Sequence, residues 1–320
     1  MRGLACIGLL LCPGALLVLT GQAHAQSRSD SLQLEKAEGL QQKGDWRSAF
    51  PLYDALVKRE VLLLESLIGR GKSWCYGLKD CDKGMEDLRQ AISRFPKDMR
   101  PHAARGDMYL AMKMVERARE DYSQALEFAP TAGDSARIWV NIGTTHYQVR
   151  QFDRAKICYE TAHAVDSTNT GSLFGLSNVL ERQGDAEGAL AIMYQLMERE
   201  PDNAIYMNNL AYRLITLERF AEAIQWYDKA IARDPKHGLS WNNRGYARMR
   251  SGDLKGALSD IERAIALNRS NSYAYRNLAL VRKEMGQKDK SCAAFEKAFD
   301  LGYTRQYGPD AKGVYDAYCR

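Results

Sequence analysis

The stretch AIYMNNLAYRLITLERFAEAIQWYDKAIARDPKH, Ala204–His237, decides the fold. Ala211, Ala223 and Ala230 fall at places eight, twenty and twenty-seven of this stretch, with the bulky Leu210, Phe220 and Tyr227 at places seven, seventeen and twenty-four. Small side chains at such places let two helices approach closely, and the bulky ones fill the space left between them. Pro235 ends the second helix, because proline lacks the donor and disfavours helix in the residue before it. The same residue types return along the chain with a period close to 34, within the range of helix-turn-helix repeats.

Equivalent places are filled on both sides. A third unit offers Gly106, Tyr109, Ala118, Tyr122, Ala125 and Pro130; a fourth has Trp139, Ile142, Gly143, Phe152, Ala155, Tyr159 and Ala162, after a short insertion around Gly133. The fifth has Leu173, Leu176, Ser177, Gly184, Ala189, Leu196 and Pro201, and the seventh Trp241, Gly245, Gly252, Ala257, Ile261 and Ala264. In the eighth, Tyr275, Leu278, Ala279, Gly286, Phe295 and Ala298 fit, but Ser291 stands where alanine is usual. Upstream the pattern weakens. A second unit keeps Gly84, Leu88, Ala91 and Pro96, yet its first helix needs a one-residue shift to align Gly71 and Trp74. A first unit reads through Ala37, Leu40, Gly44, Trp46, Ala49, Tyr53 and Leu56, with Gln33 where a bulky apolar residue is expected.

Local signals place the helix ends. Gly44, Gly184, Gly252 and Gly286 sit at the turn inside a unit, where a left-handed backbone is easiest without Cβ. Asp45, Asp185 and Asp253 follow three of them and can accept from the free N–H groups of the next helix. Pro96, Pro130 and Pro201 end second helices as Pro235 does. No strand signal of any length interrupts the pattern.

These residues resemble the tetratricopeptide repeat. The resemblance implies an all-α fold, a right-handed α-solenoid of helix-turn-helix units whose work is to hold another protein. About eight repeats are expected: degenerate ones over 26–98, a core array over 99–301, and a segment over 302–320 that caps the last apolar face. That last segment resembles the tails of exported bacterial proteins of the same repeat type.

The leader predicts export. Arg2, an apolar run from Leu4 to Leu19 and then Ala23-His24-Ala25 read as a signal peptide over 1–25, cut before Gln26. The run carries Gly8, Pro13 and Gly14 and is shorter than the ~20 apolar residues that span a bilayer. The expected location is periplasmic or extracellular, with outer-membrane association as one form of it. Net charge is +5, with no basic block longer than a helix face, so nucleic acid is not an expected partner.

Beyond the leader stand Cys75, Cys81, Cys158, Cys292 and Cys319. In an oxidising compartment they can pair. Cys75 with Cys81 and Cys292 with Cys319 are candidate disulfides, but spacing leaves connectivity open, and all five could equally be free and buried.

In each first helix, places two, five, nine, twelve and thirteen share one face. In the family that face lines a concave groove, so it is the expected peptide-binding surface. Here it carries Tyr147; Phe174, Asn178 and Arg182; Asn208 and Tyr212; Asn242, Tyr246 and Arg250; Tyr273 and Arg276, with Ile205 and Leu239 at place two. Amides can bond a peptide backbone, aromatics can stack on its apolar side chains and arginines can meet its carboxylates. The tyrosines could also simply pack between repeats. The clamp with which some family members hold a C-terminal carboxylate finds only Asn243 here.

Enzymatic signatures are absent from the sequence. His102, His146, His163 and His237 show no paired metal spacing, and there is no phosphate-cradling loop or nucleophile elbow. No cofactor or metal is expected, and the expected partner is a protein or peptide. Two alternatives remain open: a structural or assembly component of a cell-envelope complex that binds through convex or edge surfaces, and a glycan-binding solenoid.

Overall fold

A computed structural model of the protein describes residues 13–320, with side chains from Gln26 onward. The start of the leader lies outside the described residues. Eighteen helices follow one another, with no strand among the described residues. They are α1 (Pro13–Gln42), α2 (Trp46–Lys58), α3 (Leu63–Lys72), α4 (Cys81–Arg94), α5 (Met99–Ala111), α6 (Val115–Glu127), α7 (Ala132–Gln148) and α8 (Phe152–Val165). The series continues with α9 (Thr170–Arg182), α10 (Ala186–Arg199), α11 (Ala204–Thr216), α12 (Phe220–Arg233), α13 (Gly238–Arg250), α14 (Leu254–Leu267), α15 (Ser272–Glu284), α16 (Lys288–Asp300), α17 (Tyr303–Tyr307) and α18 (Asp310–Cys319). Through α16 they pack as consecutive pairs, one pair to a repeat, which makes the fold an α-solenoid. Two compact units divide the chain, one ending at Asp166 and the other Ser167–Arg320.

Each pair turns through a left-handed residue at place fifteen. Gly44, Gly184, Gly252 and Gly286 take it at φ 76°, 89°, 86° and 72°, while Lys79, Lys113, Arg150 and Glu218 take it at 64°, 61°, 62° and 58°. Asp45, Asp185 and Asp253 then accept from Ser48, Gly188 and Gly256 N–H, closing the N-termini of α2, α10 and α14. Within a pair the small residue of one helix lies under a ring of the other: a methyl on Gly106 or Gly143 would come within 2.7 Å of Tyr122 or Tyr159.

The irregular second repeat has a backbone cause. From Gly71 to Gly84 the chain counts 13 residues, where Gly106 to Ala118 counts 12. The extra residue is absorbed in a π-turn at Ser73–Gly77, in which Leu78 N–H reaches back to the Ser73 carbonyl at 3.1 Å. Gly71 and Gly84 thereby stay opposed, so close that a methyl on Gly71 would lie 3.0 Å from the Gly84 carbonyl. Cys75, within this turn, is bonded to Cys81 at the head of α4.

A second recurring device is ionic. Arg70, Arg105 and Arg244 stand just before the small residue of their first helix, and each forks onto an aspartate of its partner helix: Asp87 at 2.7 and 2.9 Å, Asp121 at 2.7 and 2.8 Å, Asp260 at 2.6 and 2.8 Å. Arg70 and Arg244 also reach back to Asp54 and Asp228 of the preceding repeat. In the fourth, sixth and eighth repeats the same two places are apolar: Ile142 and Cys158, Leu210 and Trp226, Leu278 and Ala294. The sequence signal for this device is Arg followed 16 residues later by Asp, or 17 where the second repeat carries its extra residue.

The segment after α16 folds back on the last repeat. Tyr303, Ala311, Val314 and Tyr315 join the apolar cluster of Phe295 and Ala298, with the Tyr315 ring edge-on to Phe299 at 5.5 Å. Cys319 is bonded to Cys292 of α16, and Cys158 is a buried free thiol.

Candidate functional site

In the second unit, successive first helices repeat their side chains in register. Place two holds Ile205, Leu239 and Tyr273 on α11, α13 and α15; place nine holds Tyr212 and Tyr246. Ile205 is 62% exposed, Leu239 50% and Tyr212 41%. Helix packing does not use these side chains, since Leu210, Ala211 and Leu214 of the same helix already fill the core. The rings nonetheless share one space. Tyr273 is half-buried, and burial pushes its hydroxyl up; Arg276 pulls it down, while Tyr212 and Tyr246, within electrostatic reach, push it up further.

Beneath this surface runs a hydrogen-bonded amide layer. Ser240 Oγ donates to Asn208 Oδ1 at 3.0 Å. Asn242 Nδ2 donates to Asn243 at 3.1 Å, Asn277 Nδ2 donates to Asn242 Oδ1 at 3.1 Å, and Arg276 donates to Asn277 at 3.0 Å and to Asp310 of α18 at 3.0 Å. Asn242 is 0% exposed. Its expected place on the peptide-binding surface is therefore corrected: its amide satisfies neighbouring repeats, and a ligand cannot reach it.

The other expected residues divide. Arg250 is exposed but braced, donating to Tyr246 Oη at 3.0 Å and Glu218 at 3.1 Å, with its guanidinium 4.7 Å above Phe220. Phe174 packs on Tyr206 at 5.6 Å, and Asn178 accepts from Arg213 at 2.7 Å. Arg213, 3% exposed and paired with Glu181, carries the link from α9 to α11 and was not singled out from sequence. Arg182 is exposed at the end of α9. Tyr147 belongs to the first unit, edge-on to Phe152 at 5.5 Å. Tyr273 and Arg276 meet the tail: Tyr303 and Tyr307 lie 6.1 and 5.3 Å from the Tyr273 ring, and Asp310 pairs with Arg276.

The surface can adsorb apolar and aromatic side chains. Among the described residues no group of three His, Cys, Asp or Glu could hold a metal ion, and no helix is long and apolar enough to cross a membrane.

Paired helices in register with such a face define a protein–protein interaction scaffold. The tetratricopeptide repeat profile matches residues 174–237, and also 100–131, 136–169, 239–271 and 272–301. The chain belongs to the tetratricopeptide repeat family. It is 26% identical over 147 residues, 45% of its length, to human protein O-mannosyl-transferase TMTC3, and 29% identical over 62 residues, 19% of its length, to the transcription factor tau subunit sfc4 of Schizosaccharomyces pombe. Those stretches span 16% and 6% of the two relatives. In fold it is similar to a chain of the APC/C hetero-tetramer Cut9-Hcn1, with TM-score 0.70, 15% identity, 90% of this chain and 56% of that one covered. A tetratricopeptide repeat protein from Parabacteroides merdae gives TM-score 0.57 and 18% identity over 79% of this chain and 99% of that one.

Proposed function

We propose that this chain is an exported, non-catalytic scaffold that binds an extended segment of a protein partner along α11, α13 and α15. The observation that carries the reading is the in-register exposure of Ile205 and Leu239 beside Tyr212 and Tyr246. Apolar side chains that contribute nothing to the core and repeat at the spacing of the array suit a ligand that runs across the helices. Export is supported by the leader from Leu4 to Ala25 and by two bonded cysteine pairs, a chemistry of oxidising compartments.

The test is affinity capture from an envelope extract with the chain from Gln26 onward, beside the double substitution Tyr212→Ala and Tyr246→Ala. Partners lost only from the double substitution support the reading. Partners held equally by both move the function to the outer faces, and with it to the envelope-assembly role.

A further inference from the structure

The row of place-two side chains does not stop with the last repeat. Ile205, Leu239 and Tyr273 each stand 34 residues after the one before, and 34 residues beyond Tyr273 comes Tyr307, at the end of α17. One step the other way the place is Gly171, which has no side chain to offer. The row therefore has four members, the last of them on the tail. Tyr307 is 48% exposed, while Tyr303, one turn earlier, is buried and is the residue of α17 that joins the core. Closing the last repeat leaves the Tyr307 ring unused. It lies 5.3 Å from the ring of Tyr273 and 5.1 Å from that of Tyr303.

The tail is fastened in this position. Tyr303 Oη donates to Asp310 at 3.2 Å, Arg276 donates to Asp310 at 3.0 Å, and Cys319 is bonded to Cys292. Place nine, two turns further along each first helix, adds Tyr212, Tyr246 and Leu280. Tyr246 Oη accepts from Arg250 and keeps its own proton for a ligand carbonyl.

The spacing of the row selects its ligand. α11 touches α13, α13 touches α15 and α15 touches α17, and helices in contact lie about 8–10 Å apart. A chain that crosses them must bring an apolar side chain to the same side once in about that distance. In polyproline II three residues make a turn of about 9 Å, so every third side chain returns to one side. A β-strand turns its third side chain to the opposite side. An α-helix, with a turn of about 5.4 Å, keeps step only at every second turn. Grooves lined with aromatic rings also suit proline, and a segment already in this conformation loses little freedom on docking.

Resting on the reading of α11, α13 and α15 as the binding surface, we propose that the partner segment is a proline-rich polyproline II stretch with an apolar side chain at every third residue, docked along Ile205, Leu239 and Tyr273 and ending on Tyr307 of the tail.

The probe is a dye-labelled, acetylated and amidated peptide of four Leu-Pro-Pro triplets, titrated by fluorescence anisotropy into the chain from Gln26 onward. It is run beside a peptide of three triplets and beside one of the same composition as the first with its leucines at alternate positions. The four-triplet peptide is expected to bind about fivefold or more tighter than either. Tyr307→Ala should bring it down to the level of three triplets, and Tyr307→Phe, which keeps the ring, should not. Equal binding of the periodic and alternating peptides, an advantage of the fourth triplet that survives Tyr307→Ala, or no binding at millimolar peptide overturns the proposal. The Tyr212→Ala, Tyr246→Ala double substitution separates the two levels. Peptide binding indifferent to it removes the surface reading as well, whereas partners captured from the extract through those tyrosines, with no peptide bound, overturn this proposal alone.

Discussion

Ser291 donates its hydroxyl to the Ala279 carbonyl at 2.8 Å across the crossing of α15 and α16, and Ser177 does the same to Ala189 at 2.9 Å from the other member of its helix pair. These are the two places where other repeats carry alanine or glycine. A hydroxyl is accommodated there because the opposing carbonyl accepts it. Ser291→Ala should cost about 1 kcal/mol, and Ser291→Val, which adds bulk and removes the donor, about 2–3 kcal/mol. Urea unfolding reads both; a valine variant no less stable than the alanine one would contradict so close a crossing.

Arg244 should matter through what it leaves behind. Asp260 is 2% exposed and receives both Arg244 and Arg248. Arg244→Leu alone strands a buried carboxylate and should cost about 3 kcal/mol or more. Adding Asp260→Ala reproduces the apolar pair of the eighth repeat, Leu278 and Ala294, and should restore most of the loss. A double variant as unstable as the single would refute the equivalence of the two solutions.

The two disulfides should differ in weight. Cys292 and Cys319 close a span of 27 residues and tie α18 to α16, whereas Cys75 and Cys81 close one of 6. Loop closure favours the longer span, so Cys292→Ala with Cys319→Ala should lower stability by about 3 kcal/mol, and the other pair by less. Hydrogen exchange over 302–320 should rise in the first double variant. Unchanged protection of that segment would show that the Tyr303 and Tyr315 contacts hold it alone.

Acid should act through His102. It is 7% exposed, beside the Phe128 ring at 6.0 Å, with Asp121, Arg105 and Asp98 as the charges around it. Burial is the main influence and holds its imidazole below the ordinary 6.5, against the pull of Asp121. The unfolded chain therefore takes up this proton first as pH falls. The stability that neutral His102 contributes is complete above pH 6.5 and is lost as pH drops below that value. His102→Leu should flatten this part of the acid limb in a series of melting curves; parallel slopes for the two proteins would assign the limb to other groups.

Place fifteen shows how far local signals reach. Glycine announces the turn at Gly44, Gly184, Gly252 and Gly286, yet Lys79, Lys113, Arg150 and Glu218 adopt the same left-handed backbone. There the flanking helices impose the conformation, at a cost of about 1 kcal/mol each that no composition rule reveals. The second repeat makes the same point. Its one-residue misfit is visible between Gly71 and Gly84, but the π-turn that resolves it depends on both helices being in place.

The sequence by itself determined the class and period of the repeat, the small residues at its crossings, and the prolines and aspartates at its helix ends, because each is a matter of spacing or of a few adjacent backbone groups. It also placed Ile205, Tyr212, Leu239 and Tyr246 on one face. Only the tertiary structure decided which members of that face stay exposed. Asn242 is sealed by Asn277 from the next repeat, and Tyr273 and Arg276 are met by the tail. The deciding neighbours of Asn242 and Arg276 lie 35 and 34 residues away, and such separations become contacts only once the helices have stacked.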